Sequence, residues 1–184
     1  MPVVALLLVA LLLVAVLALP AQAEEPAPAV VMDLGPVKLT SPEGWVAKKP
    51  RVNIIRYEFA APAAKEDTVD GRMTVMAAGG SIDANLERWY GQFTQPDGKP
   101  TSSRAQVEKK QINGFDVHLV ELRGTYEDKP GPFAPGVKRE DYLMLAAIIV
   151  TDQGNLYLKF YGPRETISSH SKAFDKMVES LAKK

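Results

Sequence analysis

The stretch that most constrains this chain is Tyr142–Leu181. Residues Tyr142–Val150 are almost unbroken apolar sequence, the pattern of a strand covered on both faces. Thr151-Asp152-Gln153-Gly154 then has the composition of a tight turn, with Asp for a local hydrogen bond and Gly for a permissive φ. In Asn155–Tyr161, Leu156, Leu158 and Phe160 alternate with Tyr157, Lys159 and Tyr161, which predicts a strand covered on one face. Gly162-Pro163 ends it. Ile167, His170, Phe174, Met177, Val178 and Leu181 then recur at helical spacing, so a hairpin with a covering helix is expected as the core.

The opposite end reads as a different kind of segment. Val3–Leu19 is seventeen apolar residues without a charge, followed by the small-x-small sequence Ala21-Gln22-Ala23. This predicts a signal peptide over residues 1–23 and an exported (periplasmic or secreted) mature chain of 161 residues, 184 less 23, starting at Glu24. Two features point the other way. The segment before the apolar run has no Lys or Arg, and the run exceeds the roughly 7–15 residues of a signal core, approaching the roughly 17–25 that span a bilayer. A retained N-terminal membrane anchor is therefore the alternative. The sequence has no cysteine, so neither disulfides nor a lipid-modified cysteine enter the argument. Its 22 basic residues balance 22 acidic ones, which argues against nucleic acid as a partner. Lys48, Lys49, Arg51 and Arg56 form a local basic run, read as a solvated strand edge.

Between these ends, residues 24–36 are rich in Pro and Ala and are expected to be a flexible lead-in, with a single domain over 37–184. Val37–Thr40 has strand character, and Ser41-Pro42-Glu43-Gly44 is a turn by composition. Arg51–Ala60 is expected as a strand with Ile55, Tyr57 and Phe59 on one face, and Arg72–Ala77 as another with Met73, Val75 and Ala77 in phase. Ser81 is a candidate helix N-cap before a stripe of Ile82, Leu86, Trp89 and Phe93. Gln95–Ser103 is a loop, Asn113-Gly114 a hairpin turn between Gln106–Ile112 and Phe115–Tyr126, and Glu127–Asp141 a fifteen-residue connection. The fold class that follows is α+β, an antiparallel sheet of about six to seven strands covered by two main helices.

That order of elements, the sequence Pro42-Glu43-Gly44-Trp45, and the final strand–turn–strand–helix resemble the PsbP-like fold family, whose members include an extrinsic photosystem protein and a Ran-binding import factor. The Gly71–Phe93 and Gly124–Tyr142 stretches are also similar to uncharacterised exported bacterial proteins. The resemblance implies a non-catalytic accessory domain that binds another exported protein or a small ligand. It implies no cofactor and transfers no individual functional residue.

Candidate chemistry is sparse. Gly79-Gly80-Ser81 precedes a helix but lacks the spacing and lysine of a phosphate loop, and reads as turn plus cap. His118 and His170 stand alone in different elements, without metal-ligand spacing or a Gly-x-Ser-x-Gly motif, so no catalytic or metal residue is assigned. Trp45 and Phe133 sit among turn-forming residues; each is either a plug over the sheet or a partner contact. The connection 127–141 combines Phe133, flanked by Pro132 and Pro135, with Lys138 and Arg139, a composition suited to an interface. Phe133, Lys138, Arg139 and Trp45 are thus the candidate partner-binding residues. The leading expectation is an exported binding or accessory domain. An extracytoplasmic hydrolase with an unrecognised site and a structural envelope component are the alternatives.

Overall fold

The structure, a computed structural model, describes residues 25–129 and 135–184. In chain order its elements are β1 (Val31–Asp33), β2 (Val37–Thr40), β3 (Val46–Lys48), β4 (Ile55–Ala61), β5 (Gly71–Ala77), α1 (Ile82–Tyr90), β6 (Phe93–Thr94), β7 (Gln106–Ile112), β8 (Phe115–Asp128), β9 (Val137–Ile149), β10 (Leu156–Pro163), α2 (Arg164–Ser169), α3 (Ser171–Glu179) and β11 (Ala182–Lys183). Eight of these strands form one antiparallel sheet in the order β3-β4-β5-β10-β9-β8-β6, with β7 also paired to β8. A separate small sheet has the order β1-β2-β11.

Strand periodicity sorts the large sheet into two faces. Phe59, Met73, Val75, Leu158, Phe160 and Ile149 point to one side, where they pack with Ile167, Phe174, Met177 and Leu181 from the C-terminal helical segment and with Met32, Val37 and Leu39 from the small sheet. Met144, Ala146, Ile148, Tyr157 and Tyr161 point to the other, where α1 supplies Leu86 and Trp89. Ser81 caps α1 by accepting a hydrogen bond from the Ala84 amide at 3.1 Å, as its sequence position predicts. Asn113 and Gly114, at φ 49° and 86°, both take the left-handed conformation of a type I′ hairpin turn. Asn113 also donates to the Leu181 carbonyl at 2.7 Å, tying the hairpin tip to the C-terminal segment.

Several expectations need correction. Residues 24–36 are not all lead-in: Val31–Asp33 is a strand paired with β2, and Met32 and Leu34 are fully buried. Ile55 does not share a face with Tyr57, because a bulge between them puts Ile55 opposite Met76 and Tyr57 opposite Val75. Phe93 leaves the helix and pairs with Tyr126 as a strand residue. The last helix is two helices meeting at His170, and the Ser169 and Ser171 hydroxyls donate to the carbonyls of Thr166 and Ser168 near the break. The fifteen-residue connection is shorter than expected, since β8 and β9 stay paired out to Asp128 opposite Val137. Most consequential is β10. It runs between β5 and β9 in the middle of the sheet and is buried on both faces rather than half-covered.

Candidate functional site

Because β10 is central, the lysine in its alternating pattern is covered. Lys159 is only 8% exposed, one of few buried polar residues on this side of the sheet. Its ammonium group donates to Gln92 Oε1 in the turn after α1 and lies 3.4 Å from the Tyr126 hydroxyl. It also lies 4.3 Å from the centre of the Tyr161 ring and 5.0 Å from that of Tyr126, where the negative ring faces attract a cation. Burial, assisted by the positive charge of Arg72 and opposed by Asp128, pushes its pKa down to about 7.

The surroundings form a cleft of about 610 Å³ on the part of the sheet face that α1 leaves open. Tyr126, Tyr142 and Tyr161 make an aromatic wall, with the first two rings stacked 5.8 Å apart and Tyr126 and Tyr161 at 5.0 Å. Burial pushes the Tyr126 phenol well above its ordinary value, so it stays protonated at any physiological pH. Arg72 closes the next side. It is gripped by both carboxylate oxygens of Glu58, at 2.9 and 3.1 Å, and donates to the Tyr161 hydroxyl at 2.8 Å. The remaining acids of the lining also have partners: Asp70 accepts from the Ala63 amide, and Asp128 pairs with Arg139 at 3.5 Å. Lys159 differs, having neutral hydrogen-bond acceptors and no carboxylate within ion-pair distance among the described residues.

A comparison with solved structures identifies the architecture. Cyanobacterial PsbP (CyanoP) from Synechocystis sp. PCC 6803 superposes with a TM-score of 0.51 at 10% identity, over 91% of this chain and 98% of that one. The fold is PsbP-like. A Pseudomonas aeruginosa protein of unknown function, PA94, matches with a TM-score of 0.49 at 14% identity, over 85% of this chain and 97% of that one. No protein-family model and no curated protein matches the sequence.

On this PsbP-like frame the described residues expected at a partner surface, Trp45, Lys138 and Arg139, do not form one site. Trp45 is 1% exposed on the opposite face of the sheet, 4.6 Å from Phe160 centroid to centroid, so it is the plug and offers no docking surface. Its indole N–H donates to Nδ1 of His170 at 3.2 Å. An indole can only donate, so Nδ1 is the acceptor and Nε2 carries the proton that bonds the Pro62 carbonyl at 2.9 Å. Phe133 lies outside the described residues. Lys138 and Arg139 are exposed, but on β9 rather than in a loop, opposite Glu127 and Tyr126. Opposed residues share a face, so Arg139 stands beside the cleft. His118 pairs with Ile148 and Lys109 within the sheet, remote in role from His170, and no group of three metal-ligating side chains occurs among the described residues. The cleft itself was missed because Lys159 reads as the solvent-facing member of an alternating strand. The signal was indirect: its hairpin partner Tyr142–Val150 is apolar on both faces, so a lysine at mid-strand beside it must also be covered.

Proposed function

We propose that this protein is an exported accessory domain that acts by binding, and that its binding surface is the tyrosine-walled cleft around Lys159. The observation that carries the reading is the cleft: a concavity within the roughly 300–1,000 Å³ of small-ligand sites, walled by three tyrosines with the covered Lys159 at its base. The PsbP-like fold is compatible with a non-catalytic role. A hydrolase reading loses its best candidates, because His170 is held between Trp45 and Pro62 on the opposite face of the sheet, while His118 stands near the start of β8 and the cleft's Tyr126 near its end. Export rests on the apolar segment Val3–Leu19 and on Ala21-Gln22-Ala23. N-terminal sequencing of the secreted chain should begin Glu24-Glu25-Pro26.

A photo-crosslinking residue placed at Val69, on the cleft rim, tests the binding reading in the native exported fraction. It should give adducts that the same residue at Lys110, on the remote β7 edge, does not. Equal labelling at both positions would show that the cleft is not where this protein binds.

A further inference from the structure

The cleft contains a buried cation without a buried anion. Lys159 has three N–H donors, and among the described residues Gln92 Oε1 and the Tyr126 hydroxyl accept from them. Tyr126, having accepted from Lys159, shares its own O–H with the neighbouring Tyr161 and can turn it to a ligand oxygen. Two convergent donors, one charged, match the two oxygens of a carboxylate. The other lining groups limit what that carboxylate is attached to. Glu58 and Asp128 are paired with Arg72 and Arg139, which leaves Lys159 as the buried charge of the cleft lining that can meet one carboxylate. Val52 and Val69 stand half-exposed at its mouth, at 51% and 47%, with Ile55 and Met76 further in. An apolar chain leaving the carboxylate would cover them. Resting on the reading of this cleft as the binding surface, we propose that it is a site for a small monocarboxylate with a short apolar chain, received by Lys159 Nζ and the Tyr126 hydroxyl.

The proposal makes binding depend on pH with a definite sign. In the empty cleft Lys159 loses its proton near pH 7, and an adjacent carboxylate favours the charged form. Binding therefore takes up a proton, and affinity falls as pH rises above 7, roughly tenfold per unit until the bound-state pKa is reached. The other groups facing Lys159 do not reproduce this. From β5, Arg72 stays charged, fixed by Glu58 of β4; from β8, Tyr126 stays neutral and Asp128 is paired with Arg139; from β9, burial raises Tyr142. The turn after α1 presents Gln92, which does not titrate.

Hexanoate is the probe, with hexan-1-ol as its neutral counterpart, titrated calorimetrically into the full mature domain. Hexanoate should bind at pH 6.5, weaken roughly tenfold or more by pH 8.5, and lose at least roughly tenfold in Lys159→Met, with hexan-1-ol weaker by a similar factor. No heat of binding at tens of millimolar hexanoate overturns the proposal, as does equal affinity in Lys159→Met or at both pH values. Should that variant not fold, the wild-type Lys159 Cε resonance decides: its titration midpoint must move up in saturating hexanoate, and an unmoved midpoint is a refutation. Failure here with rim cross-links retained refutes the carboxylate alone and leaves the binding surface standing.

Discussion

At the residue scale, Lys159 couples the stability of the fold to pH. Its pKa is about 7 in the folded state against an ordinary 10.5, so between those values the unfolded chain binds the extra proton. Stability from this group therefore rises as pH increases from about 7 to about 10.5, and below 7 the full cost of a buried charge is present. The shift sets a ceiling of about 5 kcal/mol on that change. Lys159→Met replaces the ammonium by an apolar chain of similar length. It should stabilise the domain at pH 6 by about 1–4 kcal/mol, as removal of buried charge often does, and flatten the pH dependence. Urea denaturation of both proteins at pH 6 and pH 9 measures this; a variant less stable at pH 6 would mean that the tyrosine cage more than compensates the burial. On the other face, His170→Ala removes the acceptor of the Trp45 indole and the donor to Pro62. With the indole buried, a loss of about 1–3 kcal/mol is expected, read from the same denaturation curves.

At the scale of elements, legibility followed how local the determining interactions are. The Asn113-Gly114 turn and the Ser81 cap are set within a few residues, and both stand where the pattern puts them. The path of residues 127–141 was not legible, because nothing local to Lys138 or Arg139 shows that they pair with Glu127 and Tyr126 across β8 and β9. The same applies to Ile55, whose face is decided by a bulge against β5. The candidate site was harder still. Gln92, Tyr126, Lys159 and Arg72 come from four separate stretches, and only the strand order unites them. One glycine shows how tightly these elements meet. Gly124 of β8 has φ 143°, and a Cβ there would lie 2.6 Å from the Thr94 carbonyl oxygen of β6. Gly124→Ala should force β6 away from the sheet at a cost of about 1–3 kcal/mol. Amide hydrogen exchange should show lost protection at the β6–β8 pairing first, and unchanged protection there would mean the backbone accommodates the methyl group.

For the whole molecule, the small sheet decides where the domain begins. β2 holds β1 on one side and β11 on the other, so both ends of the described chain meet over the same helical layer. Ser180 at the end of α3 accepts from the Thr40 amide at 2.9 Å, and Lys184 pairs with Asp33 across the same sheet. The surface ion pair contributes little; the apolar burial contributes more. Met32 and Leu34 are 0% and 1% exposed and pack into the cluster that contains Trp45, Phe160 and Phe174. Burying side chains of this size is worth roughly 1.5–3 kcal/mol each. A chain trimmed to begin at Val37 uncovers both sites and removes the edge strand from β2. Against a total stability of about 5–15 kcal/mol, that trimmed domain should lose a third or more of its stability, seen as a large fall in melting temperature by calorimetry. A chain trimmed to begin at Pro28 keeps β1 and should melt with the mature protein. Equal melting of all three would mean that residues 31–36 only lie against the domain, and that its core is closed by the large sheet and the C-terminal helices alone.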